Sequence, residues 1–119
     1  MQDLKIYDAE YRFLNIIWDS EPINSTQLTK LCFEKLGWKK ATAYTVLRKL
    51  CDRKILKNEN ATVTALVKRE QVQKYESEAL LDKSFDGSLP TFLAAFLKDK
   101  KISEKEAAEL KKMIEEAMK

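Results

Sequence analysis

Thr42, Tyr44, Thr45 and Arg48 stand close together in the chain, and no carboxylate lies between them. Two hydroxyls, a phenol and a guanidinium are groups that can address base edges and phosphate oxygens. Around them, Ala43, Val46, Leu47 and Leu50 recur at i, i+3, i+4 and i+7, which predicts an amphipathic helix from about Trp38 to Arg53 or Lys54. Ala41, Tyr44, Thr45 and Arg48 fall on its opposite face, with Thr42 and Lys49 on the flanks. From Lys35 to Lys57 there are eight Lys or Arg against one Asp, a local charge of +7 in a chain whose total is +3. Lys39 and Lys40 stand at the predicted N-terminus, where the helix dipole disfavours cations. That placement makes sense if an anion docks there. The pattern is that of a DNA recognition helix. Thr42, Tyr44, Thr45 and Arg48 would face the major groove, while Lys39, Lys40, Lys49 and Lys57 pair with phosphates.

Other chemistries find little support. The chain has no His, which removes the usual general base and the commonest metal ligand. Cys32 and Cys51 form no metal-binding spacing, and each reads as a small core hydrophobe. There is no Gly-rich phosphate loop and no nucleophile–base pair, so no enzyme, metal or cofactor is expected. The start, Met1-Gln2-Asp3-Leu4-Lys5, lacks the basic region and apolar run of a signal peptide. No apolar run approaches a membrane span. A cytoplasmic protein without membrane insertion is expected.

At 119 residues the chain is one small domain, or one with an appended helical piece. Two glycines and two prolines in the whole chain argue for few tight turns and mostly helix. A first helix is expected from Asp8 as N-cap, with Ala9, Phe13, Leu14, Ile16, Ile17 and Trp18 as its apolar side. Asp19-Ser20-Glu21-Pro22 is the turn after it. A second helix opens at Asn24, with Gln27 in a capping-box position, buries Leu28, Leu31, Cys32 and Leu36, and stops at Gly37. With the recognition helix next, this order is a helix-turn-helix. Beyond Ile55 the period changes to two. Leu56–Glu59 and Thr62–Val67 read as strands about the turn Asn60-Ala61, which packed on three helices make the wing of a winged helix. A plain surface hairpin without nucleic-acid contact is the alternative, because the tip carries Glu59 and Asn60 rather than a basic pair.

A helix from about Glu70 to Ser84 follows, with Val72, Tyr75, Ala79 and Leu80 spaced for burial, and Asp86-Gly87-Ser88 breaks it. Leu89, Phe92, Leu93, Phe96 and Leu97 form a short, very apolar helix. Ser103 with Glu106 is a capping box for a last helix whose stripe is Ala107, Leu110, Met113, Ile114 and Ala117. Residues 1–76 carry 14 basic and 10 acidic side chains, residues 77–119 carry 8 and 9. The expected division is a winged-helix DNA-binding domain over 1–76 and a helical dimerisation module over 77–119. Leu89, Phe92, Leu93, Phe96, Leu110, Met113 and Ile114 would form the homodimer interface. Cover for the N-terminal core in a monomer is the competing use of these residues.

Ala9-Glu10 followed by Ile16-Ile17-Trp18, then Trp38, Thr42, Thr45 and Leu50, then Phe92 to Phe96 before Ser103-x-x-Glu106, share order and spacing with a known family. On these residues the chain resembles the penicillinase and methicillin-resistance repressors, a family that also includes copper-responsive repressors (BlaI/MecI/CopY). The resemblance runs from about Tyr7 to the last helix. It implies winged-helix repressors that dimerise through their C-terminal helices and bind palindromic operators in double-stranded DNA, often built on TACA and TGTA half-sites. It also implies, in the antibiotic-resistance branch, a membrane sensor-protease partner and cleavage of an Asn-Phe bond in the first dimerisation helix. The matching pair here is Ala95-Phe96. Lys49 and Lys54 stand where the family usually has Arg and Gly, and Tyr44 is unusually bulky. No cysteine follows Cys51, whereas the copper-responsive branch ends in a cysteine-rich hook. A winged-helix module that applies the same basic face to an acidic protein partner is the alternative function.

Overall fold

The computed structural model describes residues 3–119. In chain order the elements are α1 (Asp8–Ser20), β1 (Ile23–Asn24), α2 (Ser25–Leu36), α3 (Lys40–Asp52), β2 (Leu56–Glu59), β3 (Thr62–Ala65), α4 (Arg69–Phe85), α5 (Leu89–Leu97) and α6 (Glu104–Ala117). This is the expected winged helix with a helical C-terminal part. The chain divides into one unit through Ala79 and a second over Leu80–Lys119.

In the first unit three helices pack their apolar stripes around one core. Phe13, Leu14 and Ile17 of α1 meet Leu28 and Cys32 of α2 and Ala43, Leu47 and Leu50 of α3. Ile55, Leu56, Val63 and Val72 complete it from the wing and α4. Trp38 lies against the same core, its ring stacked on Phe13 with centroids 5.7 Å apart. Trp38, two residues before α3, thus anchors the start of that helix. Asn24 caps α2 by accepting a bond from Thr26 N–H at 2.8 Å. Gly37, at φ 70°, ends it. That left-handed turn costs glycine nothing and lets Trp38 N–H reach the Cys32 carbonyl at 3.3 Å.

The wing is an antiparallel hairpin in the expected register, with Leu56 opposite Ala65 and Glu59 opposite Thr62. Its two-residue loop holds Asn60 at φ 52° and Ala61 at φ 63°, both left-handed as a type I′ turn requires. Asn tolerates that region; Ala does not do so freely. The Ala61 carbonyl accepts a bond from Ser25 N–H at 2.8 Å, which ties the tip to the start of α2. Ala61→Gly relieves about 1–2 kcal/mol of backbone strain. The freer unfolded chain takes back about 0.4–1 kcal/mol. A higher midpoint in urea, by roughly 0.5–1 kcal/mol of stability, is the expected result. An unchanged or lower midpoint would show that the turn is not strained.

Several local expectations need correction. The N-cap of α1 is Tyr7 rather than Asp8, and Glu10 reaches back to accept from Tyr7 N–H at 3.0 Å. Ala9 lies exposed in the first turn, outside the buried stripe. A third strand, β1, pairs Ile23 with Val63 and Asn24 with Thr62, so β3 is the centre of the sheet. The ladder of β3 ends at Ala65, not Val67. On α4 only Val72 is fully buried and Tyr75 is half-buried. Ala79 and Leu80 are exposed, because the helix has by then run past the core that Val72 enters.

In the second unit, Ser88 and Ser103 cap α5 and α6 by accepting from Thr91 and Glu106 N–H. Phe92 packs edge-on to Phe85 at 5.4 Å and lies stacked on Phe96 at 5.7 Å. No residue of α5 or α6 is fully buried within the single chain.

Candidate nucleic-acid interface

The face of α3 turned away from the core carries Thr42, Thr45, Arg48 and Lys49, all exposed, with Lys39 and Lys40 exposed at its start. Core packing of Ala43, Leu47 and Leu50 fixes that orientation. Lys39 is the N-cap and makes no side-chain cap bond, so the first-turn N–H groups stay open to an external acceptor. Among the described residues Lys39, Lys40, Arg48 and Lys49 make no ion pair. The Lys40 ammonium lies 6.0 Å from the Tyr44 ring centroid. Thr45 Oγ1 donates to the Ala41 carbonyl at 2.9 Å, which uses its one proton and leaves the oxygen as an acceptor.

Around that face the side chains border three different grooves. Tyr44 and Arg48 share a cleft of about 280 Å³ with Leu47, Cys51 and Asn58, between α3 and the wing strand β2. Tyr44 is half-buried there, with its ring against the core, rather than fully on the open face. Lys40 opens onto a different groove, with Thr26, Thr29, Lys30, Phe33 and Glu34 of α2. Lys49 lines a third, of about 510 Å³, with Asp3, Lys5, Tyr7, Glu10, Asp52 and Arg53. Lys57 lies on the wing and pairs with Glu59 at 2.8 Å, which holds that carboxyl below its ordinary range. Both groups are exposed, so this pair is weak and a phosphate can compete for Lys57.

Comparison with known proteins decides the family. The profile described as penicillinase repressor matches residues 6–116. The chain belongs to the penicillinase repressor family. It is also 24% identical over 116 residues to the penicillinase repressor of Bacillus licheniformis, covering 94% of this chain and 91% of that protein. This is a family of transcriptional repressors and not of enzymes, and membership carries the expectation of DNA binding. Among the described residues no helix is long and apolar enough to cross a membrane.

Three residues near this repressor-family helix escaped sequence reasoning. Lys30 and Phe33 of α2 flank the groove that receives Lys40, and Phe33 is 66% exposed. Asn58 faces the Arg48 cleft from the wing. The signal for Lys30 and Phe33 was present, since neither fits the buried stripe of α2. Asn58 was hidden because only the hairpin's fold-back brings it near α3. The two thiols differ in environment. Burial pushes Cys32 up to about 11. Burial first, and then Asp52, raises Cys51, while a backbone bond at Asn58 opposes the shift. Iodoacetamide at pH 8 should therefore modify Cys51 at most in the native chain, and Cys32 only after unfolding, as intact-mass analysis will show. Modification of Cys32 in the native chain would contradict its placement in the core.

Proposed function

We propose that the chain is a dimeric, sequence-specific transcriptional repressor that occupies a palindromic operator. One observation carries this reading: in a repressor-family winged helix, α3 turns an unpaired cationic and hydroxyl-rich face outward. Thr42, Thr45 and Arg48 read base edges in the major groove, with Tyr44 at the border of the reading face. Lys39, Lys40 and Lys49 hold phosphates, and Lys57 does so at the cost of its bond to Glu59. The second protomer binds through α5 and α6. Phe96 is 51% and Met113 62% exposed in the single chain, and Leu89, Leu110 and Ile114 are exposed beside them. Phe92 and Leu93 are half-buried on the same helix as Phe96. Apolar side chains left open on that scale favour a partner surface. Selection of operators from a random duplex library tests the reading. A two-fold symmetric consensus is the expected result. No enrichment over input would overturn sequence-specific repression, and capture of an acidic protein instead would support the alternative module.

Release on an inducing signal acts through the same C-terminal helices. A cut between Ala95 and Phe96 would detach Phe96 and all of α6, so the dimer would fall apart with Thr45 and Arg48 untouched. Ala95 lacks the amide of the family's usual Asn, so a sensor protease that hydrogen-bonds that amide would reject it strongly. Mass spectrometry of the protein from induced cells distinguishes the routes. A fragment ending at Ala95 supports cleavage; an intact chain off its operator shows release by another inducer.

A further inference from the structure

Helix α4 leaves the first unit along a single stripe: Arg69, Val72 and Tyr75, at i, i+3 and i+6. Each of the three is held differently. Arg69 Nη2 donates to Asp19 Oδ1 at 2.7 Å and its Nε to Asn15 Oδ1 at 3.3 Å. Its guanidinium also lies 5.3 Å from the ring centroid of Trp18. Trp18 in turn donates its Nε1–H to the Val67 carbonyl at 3.0 Å, just before α4 begins. Val72 is fully buried in the core. Tyr75 donates its hydroxyl to Asp3 Oδ1 at 3.0 Å. The N-terminal arm carrying Asp3 is itself strapped down by Arg53, whose Nη2 donates to the Lys5 carbonyl at 2.6 Å and the Asp3 carbonyl at 3.3 Å. From Glu76 to Leu80 every residue of α4 is exposed.

We infer that Arg69 and Tyr75 are positioning residues: they fix the direction in which α4 leaves the DNA-binding unit, and so the half-site spacing a dimer accepts. The inference rests on the dimeric repressor reading. Val72 alone is a single apolar pivot, about which a helix can swing. A charge pair with a stacked ring one turn before it, and a hydrogen bond one turn after it, remove that freedom. Both lie on α4, outside α3 and the wing, which are the elements that the repressor reading sets against a half-site. Both govern whether two recognition helices reach two half-sites together. Linked binding is lost where the connection cannot span the sites and is best where it matches them. A stiff exit therefore gives a sharp spacing optimum, and a loose one gives a broad optimum.

The test uses the full chain and duplexes bearing the half-site recovered by selection, either single or paired, with spacing varied one base pair at a time. The double variant Arg69→Ala, Tyr75→Phe keeps Val72 and the core. Wild type should favour one spacing by on the order of tenfold or more over spacings displaced by two or three base pairs. The variant should bind a single half-site within about twofold of wild type, yet flatten that preference to roughly threefold or less. Arg69→Lys with Tyr75 intact should restore most of the preference. An unchanged optimum with normal half-site binding would overturn the inference. So would a half-site affinity that falls in parallel with the paired-site affinity, since the residues would then merely maintain the fold. A wild-type chain that binds paired half-sites independently at every spacing would instead bring down the dimer reading on which the inference rests.

Discussion

Removal of Leu89–Lys119 is expected to leave a folded winged helix that sediments as a monomer and binds its operator about 10²–10⁴-fold more weakly. The folded part should survive because every fully buried residue described lies between Ile6 and Val72. The affinity should not, because a palindrome is held by two helices whose half-sites lie about 34–36 Å apart, one turn of the duplex. In a dimer the second half-site meets its helix at the effective concentration set by the first. Without α5 and α6 each unit must find its half-site alone. Binding to an isolated half-site should change little, which separates lost linkage from damage to α3. A truncated chain that stays dimeric in sedimentation would show that the interface lies elsewhere.

The second large effect concerns α3 itself. Arg48→Ala should lower affinity for the selected operator by about 1–3 kcal/mol while leaving random DNA nearly unaffected. Lys40→Ala should weaken every sequence alike and make the plot of log affinity against log salt shallower by about one unit. The difference follows from what each cation can reach. Arg48 is exposed midway along α3 beside Asn58, where a planar donor fork can meet the O6 and N7 of a guanine. Lys40 sits at the helix start beside uncapped N–H groups, where a phosphate is the natural acceptor. Equal losses on operator and random duplex for both variants would remove Arg48 from the reading face. Tyr44→Phe should have a smaller effect, since the ring is committed to the core and only its hydroxyl is available to DNA.

Helix α3 could be read from the sequence because two signals agree there. The apolar period of Ala43, Leu47 and Leu50 gives its buried face, and the lack of acid before Asp52 marks the opposite one. The wing was legible for a similar reason: the alternation read over Thr62–Val67, two residues longer than β3, follows a turn at Asn60, a residue that tolerates the left-handed region. Strand β1 was not legible, because two residues show no period and pair only once Val63 has been brought beside Ile23. The partners of the α4 anchors were equally invisible. Arg69 finds Asp19 across 50 residues and Tyr75 finds Asp3 across 72; the spacing marked Tyr75 for burial, but nothing local named either partner. Tyr44 shows the limit of a helical wheel. Its angular position is that of the outer face, yet a long aromatic side chain leans back onto the core from there.

The most direct test of α3 as the reading helix is protection of guanine N7 from dimethyl sulfate on the selected operator, since that atom lies in the major groove. The wild-type chain should protect guanines in two symmetric patches one helical turn apart. Arg48→Ala should lose protection at one guanine in each patch while the remaining footprint persists. An operator bound by the full chain with every guanine N7 still reactive would contradict the account.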